Sequence, residues 1–361
     1  MGFPVMRIDG KKVLDNARRV AELCAGRDIE VWGVTKGLSG DPRLAEIYGR
    51  AGFAGISDSR LANLRKIRDS GSELPRQLIR IAMISELPDI PGTADVSLES
   101  ELSTIRELDA ICLHTGARHD VLLAVDVGDL REGFWPSELT RVGGELSRLK
   151  HVSITGIATN FACASGVLPS SEKFEDLLIY RDMLQDTLGR ELPYISVGGT
   201  CCLGLIEEGR VPKGINQLRI GEGVLLGRDT AYQRDIPYLD RTAVVISAEI
   251  IECRRKPSAP DGETGCQAFG EKPVFIDRGM RQRALLGIGR QDVDTGRLIP
   301  LQDGVHIITA SSDHMVTDVT DADSIRAPEA KLRPGNSLDF RPLYPAMLSA
   351  ATSGYVAVEF E

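Results

Sequence analysis

The stretch Ile29-Glu-Val-Trp-Gly-Val-Thr-Lys36 has the pattern of a short buried strand that ends in a lysine. Its apolar residues stand among small ones, and Gly37 interrupts the pattern directly afterwards. Lysine is rarely buried without a partner, so a lysine at the tip of such a strand either marks where the chain reaches the surface or is placed for chemistry. The stretch alone favours the surface interpretation, whereas the rest of the chain favours the chemical one.

The same pattern recurs along the chain, because short apolar runs alternate with helical segments eight times before residue 235. Seven more strands are predicted at residues 54–58, 77–83, 95–98, 121–127, 152–161, 194–197 and 216–218. Helix starts are predicted where Asp41 precedes Pro42, at Ser59 and at Ser170. Eight alternations predict a (β/α)8 TIM barrel over residues 1–235. A doubly wound open sheet is the weaker alternative, because no GxGxxG follows the first strand.

From about residue 240 the pattern changes to short β runs without convincing helices between them. Strands are predicted at residues 242–252, 273–277, 284–288, 305–309, 314–318 and 353–360, with a loop at 254–271. We therefore expect residues 236–361 to form a second domain that is all-β.

Composition excludes several classes of protein. The 361 residues carry 43 Lys and Arg against 52 Asp and Glu, a net charge of −9, and no basic block typical of nucleic-acid binding. No apolar run approaches the roughly 18 residues of a membrane helix, and the N-terminus lacks a signal-peptide pattern. The seven cysteines show no CxxC spacing, which favours reduced thiols and a cytoplasmic protein.

Polar residues cluster at the predicted strand ends, where a (β/α)8 barrel places its chemistry. They are Lys36, Asp58, Asp126 with Arg131, Thr159-Asn160, Gly198-Gly-Thr-Cys201, and Arg219 with Gly221. The glycine-rich segments follow the last two strands, where barrels often bind phosphate with backbone N–H groups. A lysine together with a phosphate cradle suggests pyridoxal phosphate, bound as a Schiff base. A Schiff-base aldolase without a cofactor is the alternative from the residues alone.

Several motifs together resemble the fold-type III pyridoxal-phosphate enzymes, the alanine racemase superfamily, and more closely its ornithine/lysine racemase branch. The motifs run through nearly the whole chain: Val34-Thr-Lys36, Asp58-Ser-Arg60, Leu98-Glu-Ser-Glu101, Val125-Asp-Val-Gly-Asp-Leu-Arg-Glu-Gly133, Thr159-Asn-Phe-Ala-Cys163, Ile215-Asn-Gln-Leu-Arg-Ile-Gly-Glu222, Gly287-Ile-Gly-Arg-Gln-Asp-Val293 and Ser311-Ser-Asp-His314.

The resemblance implies a role for each matching residue. Lys36 would form the Schiff base with the cofactor and act as the base on one face. Arg219 would bond the pyridine nitrogen, and Arg131 would lie near the phenolic oxygen. The remaining cofactor-binding residues would be Asn160, Thr200, Cys201, Ile220, Gly221 and, from the β domain, Tyr344. Since this family shares active sites across a head-to-tail homodimer, residues 311–313 would approach the substrate carboxylate from a partner subunit.

Racemisation requires a second acid–base group opposite Lys36. His314 is the candidate, because imidazole titrates nearest to neutral pH. Asp313 and Cys163 are the alternative acid–base groups, whereas Asp126 is expected to orient Arg131 rather than to act as a base. The structural alternative for His314 is a histidine satisfied by hydrogen bonds in the β domain. Compared with alanine racemases, the chain differs at three positions: Arg290 replaces their second-base tyrosine, Ala124 replaces their carbamylated lysine and Asn160 replaces a histidine. The ornithine-type branch also has Gly-Gly-Asn-Ser where this chain has Gly-Gly-Thr-Cys.

These features predict a pyridoxal-phosphate racemase that interconverts the enantiomers of a free amino acid, a basic one such as ornithine or lysine. Asp129, Glu132 and Asp292 are possible partners of its cationic side chain, or else parts of solvated loops. The alternative enzyme is a pyridoxal-phosphate lyase, an aldolase or decarboxylase of a D- or β-hydroxy amino acid. A cofactor carrier is less consistent, because the carriers of this superfamily lack a β domain. No metal site is predicted, since the histidines and cysteines lack a compact ligand spacing.

Overall fold

The computed structural model describes residues 2–272 and 274–361, and the chain divides into two compact units. The barrel unit comprises Lys11–Asp240, and the β unit comprises Arg241–Glu361 together with the described residues up to Gly10. The sequence-based division, at 1–235 and 236–361, assigned the N-terminus to the barrel. The N-terminus belongs instead with the β unit because strand β1 (Val5–Ile8) pairs there.

Within residues 30–220, eight parallel strands close into a barrel in chain order. They are β2 (Glu30–Val34), β3 (Gly55–Asp58), β4 (Arg76–Leu78), β5 (Val96–Glu99), β6 (His119–Ala124), β7 (Val152–Asn160), β8 (Tyr194–Gly198) and β9 (Gln217–Ile220). Strand β9 returns to pair with β2, with Trp32 opposite Arg219. The predicted barrel is therefore confirmed, although β4 is shorter than expected and a 3-10 helix at Ile84–Asp89 follows it.

Helices follow or precede these strands. They are α1 (Gly10–Ala25), α2 (Pro42–Arg50), α3 (Leu61–Asp69), α4 (Leu102–Thr115), α5 (Leu139–Leu146), α6 (Ser171–Leu188), α7 (Leu203–Glu207) and α8 (Glu222–Leu226). Helix α2 begins as predicted, because the Asp41 carboxylate accepts the Arg43 N–H at 2.9 Å. The predicted cap at Ser59 is wrong, since α3 begins at Leu61 and Asp58 accepts the Arg60 N–H instead. Among the described residues, every helix is too short or too polar to cross a membrane.

Part of the barrel interior is apolar. Leu98, Leu122 and Ala158 form a buried cluster against which other strand residues pack. These side chains come from the neighbouring strands β5, β6 and β7, so their burial holds that side of the barrel together.

The other part of the interior is a chain of hydrogen bonds between buried polar side chains. Ser57 donates to Gln77 Oε1 at 2.9 Å, and Gln77 Nε2 donates to Gln217 Oε1 at 3.2 Å. Ser196 Oγ donates to the same Gln217 oxygen at 2.5 Å. Because β4 and β9 are not neighbours in the barrel, the bond between the two glutamines crosses its interior. Each donor thereby finds an acceptor, which avoids about 1–3 kcal/mol for every unpaired buried group.

The β unit contains an eight-stranded sheet. Its strands are β1, β12 (Val244–Pro257), β13 (Met280–Leu286), β14 (Leu298–Pro300), β15 (His306–Ala310), β16 (Met315–Asp318), β17 (Ser337–Pro342) and β18 (Ala357–Phe360); a separate short hairpin in the barrel unit joins β10 (Arg228–Asp229) and β11 (Arg234–Asp235). Strand β12 is long because its first half pairs with β1 and β17 and its second half with β13, with a bulge between Ile250 and Glu252.

Sequence reasoning missed several elements of the β unit. Strands β1 and β14 lack a clear alternating pattern, whereas β17 was missed although its residues alternate between buried and half-buried. The two helices α9 (Thr320–Ser324) and α10 (Tyr344–Thr352) were not expected either. The strand predicted at 273–277 is wrong over residues 274–277, which are irregular and exposed, while residue 273 lies outside the described residues. Residues 254–257, predicted as loop, extend β12 instead.

We expect Gly33→Ala to destabilise the barrel unit. A Cβ at Gly33 would lie 2.1 Å from the buried Tyr48 ring, so the ring would have to move within a filled core, which typically costs about 1–3 kcal/mol. Gly144→Ala is the control, because helix α5 leaves open space there and alanine is the better helix former. Urea unfolding of both variants measures the difference, and equal stabilities would contradict the packing argument.

Candidate active site

Lys36 lies at the C-terminal end of β2, in the first turn of a 3-10 helix at Lys36–Leu38, and is partly buried. Desolvation lowers the pKa of its ammonium group. The cationic Arg131 and Arg219 act in the same direction, whereas Cys163 and Asp58 oppose it. A lysine in such surroundings releases its proton more readily than a surface lysine, which is the property a nucleophile or a base requires.

Asp58 stands beside Lys36 at the end of β3 and is fully buried. Burial raises the pKa of this carboxyl group, but three hydrogen bonds and the charge of Lys36 oppose that rise. The donors are Thr35 Oγ1 at 2.7 Å, the Arg60 N–H at 2.9 Å and Asn63 Nδ2 at 3.0 Å. These bonds fix the carboxylate close to the turn that carries Lys36.

Arg219, within β9, has a fully buried guanidinium group. Its Nη1 donates to Ser196 Oγ at 2.5 Å, and its Nη2 donates to the Thr159 carbonyl at 2.6 Å and to Asn160 Oδ1 at 3.0 Å. Burial lowers the pKa of Arg219 to about 10, so the group is still charged at neutral pH. The barrel mouth therefore holds a permanent buried cation that is bonded directly to neutral acceptors.

Arg131 lies in the loop after β6 and forms a two-pronged ion pair with Glu132. This bonding raises the pKa of Arg131. The sequence interpretation made Asp126 the partner of Arg131, but Asp126 accepts the backbone N–H groups of Gly128 and Leu130 instead. Glu132 therefore supplies the negative charge that the sequence analysis assigned to Asp126.

The loops after β8 and β9 are tied to each other by Thr200. Its Oγ1 accepts the Gly223 N–H at 2.9 Å, and both residues are buried. Cys201 is also buried, in a 3-10 helix at Thr200–Cys202, and Ile220 and Gly221 lead from β9 into helix α8. The predicted phosphate-binding residues of the barrel thus lie in two loops held together by a hydrogen bond.

Two glycines of these loops have different surroundings. A Cβ at Gly221 would lie 3.0 Å from the Val34 carbonyl oxygen, whereas a Cβ at Gly199 would meet nothing within 4 Å. The backbone at Gly199 therefore borders open space next to packed walls. Open space beside backbone N–H groups suits a phosphate group.

Asp129, predicted to contact a cationic substrate, shapes a loop instead. Its two carboxylate oxygens accept four backbone N–H groups at 2.8–3.2 Å, those of Cys163, Ala164, Ser165 and Val167. Burial works against ionisation, but the four bonds lower the pKa of Asp129. Asp292 in the β unit similarly accepts the Gly289 N–H at 2.7 Å. Both carboxylates are thereby engaged by backbone groups.

Two candidates for the second base, Asp313 and His314, lie in one turn of the β unit, whereas Cys163 lies in the barrel unit. The turn that carries Asp313 and His314 packs on the segment around Arg290, because the Arg290 N–H donates to the Ser311 carbonyl at 2.9 Å. His314 Nδ1 lies 3.3 Å from Asp313 Oδ1. The Arg290 guanidinium pairs with Glu271 and stacks on Phe269. Tyr344 begins helix α10 of the same unit.

In the barrel unit, Lys36, Asn160, Thr200, Cys201, Arg219, Ile220 and Gly221 lie at or next to strand ends, and Arg131 lies in the loop after β6. Their binding of the cofactor stays a prediction. Sequence reasoning missed the residues that hold them, above all Ser196 and Gln217. The detectable signal was a polar side chain inside a strand that is otherwise apolar, because such a group has to find a partner.

The residues in the barrel mouth fit pyridoxal phosphate. Lys36 has a lowered pKa, Arg219 presents a buried donor, and Gly199 borders open space between tied backbone loops. In the part of the chain that the structure describes, no three His, Cys, Asp or Glu side chains are grouped so that they could hold a metal ion.

Fold and site define a (β/α)8 barrel enzyme with a strand-end lysine and a separate β unit. Residues 8–228 match the family described as alanine racemase, N-terminal domain, and the chain belongs to this family. The lysine racemase of Thermotoga maritima is 38% identical over all 361 residues of the chain and 99% of its own length. The ornithine racemase of Acetoanaerobium sticklandii is 36% identical over 99% of both chains.

Among solved structures, alanine racemase from Bartonella henselae with covalently bound pyridoxal phosphate superposes with a TM-score of 0.74 at 16% identity, over the full length of both chains. The predicted family and fold class are confirmed, and with them the predicted cofactor and the enzyme class, a pyridoxal-phosphate-dependent amino-acid racemase.

Glu99, at the end of β5, has a titration that can be tested. It is fully buried, its Oε2 accepts the Ala82 N–H at 3.3 Å, and its Oε1 has no hydrogen-bond partner among residues 2–272 and 274–361. Burial raises the pKa of Glu99 to about 7, against the bonds from Ser97 and Ala82. Because Leu98 belongs to the interior cluster, strand alternation turns Glu99 away from the barrel interior.

We expect Glu99→Gln to change the pH dependence of stability. The folded pKa is about 7 and the unperturbed value 4.5, so the folded state holds its proton more tightly and loses stability as pH rises through that window. Between pH 5 and pH 8, the free energy of unfolding of the variant should therefore rise relative to that of the wild type, by up to about 3 kcal/mol. Urea unfolding at each pH measures the difference, with the exposed Glu46→Gln as control; a difference independent of pH would contradict this pKa.

We expect Thr200→Val to loosen the loops after β8 and β9. The change leaves the buried Gly223 N–H without its acceptor, at a cost of about 1–3 kcal/mol. Thr200→Ser keeps the hydroxyl group and should retain most of the stability. Urea unfolding of the two variants distinguishes the lost bond from lost packing, and equal losses in both would contradict the role of the hydroxyl group.

Proposed function

We propose that this chain is a pyridoxal-phosphate-dependent racemase of a free basic amino acid, lysine or ornithine. The observation that carries the proposal is the barrel mouth, where Lys36 with its lowered pKa lies among Arg131, Asp58 and Arg219. The basic substrate is supported by the full-length similarity to a lysine racemase and an ornithine racemase.

The cofactor would be held by residues of the barrel unit. Lys36 would bind its aldehyde carbon, Arg219 its ring nitrogen, and the backbone around Cys201, Ile220 and Gly221 its phosphate. When bound, pyridoxal phosphate withdraws electrons from the substrate's α-carbon and so acidifies the proton there. Arg219 would keep its own proton at neutral pH, since its pKa is about 10.

The chain's own residues would then move the α-proton. Lys36 would accept it at Nζ on one face, helped by a pKa below that of a surface lysine. On the other face we propose His314 as the proton donor, with Asp313 3.3 Å from its ring holding the imidazole in place. Reversing both transfers returns the original enantiomer.

We further propose that the active enzyme is a cytoplasmic head-to-tail homodimer. The β unit of a second copy would supply Asp313, His314 and Tyr344 to the barrel of the first. Analytical ultracentrifugation tests the assembly. Mixing inactive Lys36→Ala with inactive His314→Ala protein tests the sharing, because each mixed dimer would have one intact site out of two. Random mixing would therefore restore up to about a quarter of the wild-type activity.

Lys36→Ala should abolish α-proton exchange. Proton NMR of the pyridoxal-phosphate-loaded protein in D2O, with L- and D-forms of lysine, ornithine, alanine and serine, follows the α-proton signal, and a chiral assay follows the opposite enantiomer. We expect both signals to change fastest for lysine or ornithine. The kcat/KM for the preferred basic amino acid should exceed that for alanine by roughly tenfold or more. The exposed Lys11→Ala variant is the control and should match the wild type.

Two outcomes of this experiment would contradict the proposal. New aldehyde, amine or keto-acid signals without the opposite enantiomer would make the chain a lyase. Exchange that is as fast with alanine as with the basic amino acids would remove the proposed substrate class but leave the racemase.

A further inference from the structure

One carboxylate and one amide lie between the two arginines of the barrel mouth. Glu132 binds the Arg131 guanidinium through both of its oxygens. Asn160 Nδ2 donates to Glu132 Oε1 at 2.6 Å, and Asn160 Oδ1 accepts Arg219 Nη2 at 3.0 Å. Arg131, Glu132, Asn160 and Arg219 therefore form a continuous chain of contacts from a loop to the barrel interior.

The neighbours of Asn160 determine which way its amide points. A carboxylate can only accept hydrogen bonds, and a guanidinium can only donate them. The amide nitrogen must therefore face Glu132 and the amide oxygen must face Arg219. Glu132 thus sets the orientation of the acceptor that Arg219 uses, although it does not touch Arg219 itself.

The hydrogen-bonded side chains of Asn160 and Arg219 pack closely against the backbone at Gly198. A Cβ at Gly198 would lie 2.8 Å from Arg219 Nη2 and 2.9 Å from Asn160 Oδ1. The two polar groups thus meet directly above the backbone of β8. A small change in the orientation of Asn160 would have to move Arg219 as well.

The loop after β6 holds Glu132 in place. Asp126 Oδ1 accepts the N–H groups of Gly128 and Leu130, and the Phe134 N–H returns to the Ala124 carbonyl at 2.8 Å. Gly133 has a φ of 133°, and a Cβ there would lie 2.3 Å from the Asp126 nitrogen. The chain can make this return only with glycine next to Glu132.

Glu132 also offsets the positive charge of the two arginines that act on Lys36. The charged and titratable groups that act on Lys36 are Cys163, Arg131, Asp58 and Arg219. The bond from Glu132 raises the pKa of Arg131, and its charge counters the effect of burial on Arg219. Without this carboxylate, two guanidinium groups would face Lys36 with Asp58 as the remaining close carboxylate.

We propose that Glu132 is a positioning residue that holds Arg131 directly and orients Arg219 through Asn160. This role goes beyond the cofactor contacts of the two arginines, and it rests on the proposed function only for its effect on turnover. It also means that Glu132 is engaged within the protein rather than by the cationic side chain of a substrate.

A double-mutant cycle on the full chain tests the contact geometry. Asn160→Asp places a carboxylate against Glu132, so we expect a lower unfolding midpoint and pyridoxal-phosphate binding weakened by roughly tenfold or more. Adding Glu132→Gln should return the unfolding midpoint to near the wild-type value and the affinity for pyridoxal phosphate to within a few-fold of the wild type. The reason is that an amide at 132 can donate a hydrogen bond to a carboxylate at 160. Unfolding without cofactor reports the coupling even if racemisation is absent, so failure of the proposed function would be recognised separately.

A second readout separates positioning from support of the fold. In the pyridoxal-phosphate-loaded protein, Glu132→Gln should move the pH midpoint of the visible absorbance change to lower pH by about half a unit or more. The change removes a negative charge that acts on Arg131 and Arg219, and both arginines lower the pKa of Lys36. Glu132→Asp keeps the charge and should restore the midpoint. Glu46→Gln, which removes an exposed partner of Arg50, is the control and should leave it unchanged.

Two results would overturn the proposal. Additive effects of Glu132→Gln and Asn160→Asp would show that the two side chains do not act together. An unchanged pH midpoint in Glu132→Gln would show that the carboxylate does not act on the group that titrates beside the arginines.

Discussion

A guanidinium group buried inside the barrel and bonded to neutral acceptors is the constraint on which this site depends. Burying an unpaired charge costs several kcal/mol, and the cost is tolerable only where hydrogen bonds replace those of water. Arg219 obtains them from Ser196, the Thr159 carbonyl and Asn160. These acceptors come from β7 and β8, so the charge can be held only when the two strands are in register with β9.

The same demand extends across the barrel. Ser196 can accept from Arg219 because its own hydroxyl hydrogen goes to Gln217, which also accepts from Gln77. Gln77 in turn accepts from Ser57, the residue before Asp58. The polar side of the interior is therefore one arrangement of donors and acceptors that runs from Arg219 to the strand beside Lys36. Replacing a member by an apolar residue would leave its neighbours unpaired.

Sequence reasoning could predict the barrel because periodic patterns and strand-end residues are local properties. Lys36 and Arg219 lie near the ends of recognisable strands, and Arg131 lies in the loop that follows another. Their position at the same end of the barrel follows once the strands are parallel. The partner of Arg131 could not be predicted, because Asp126 and Glu132 are both near in sequence and the return of the loop at Gly133 decides between them. Strand β1 was missed because only its distant partner strands β12 and β18 reveal it.

The β unit limits where a second acid–base group can come from. Hydrogen bonding to Glu271 raises the pKa of the Arg290 guanidinium group, which therefore cannot act as a base near neutral pH. Backbone bonds hold the segment at Arg290 against the turn at Ser311–His314. A titratable group at this edge of the β unit is therefore supplied by the neighbouring turn, where imidazole and carboxylate lie side by side.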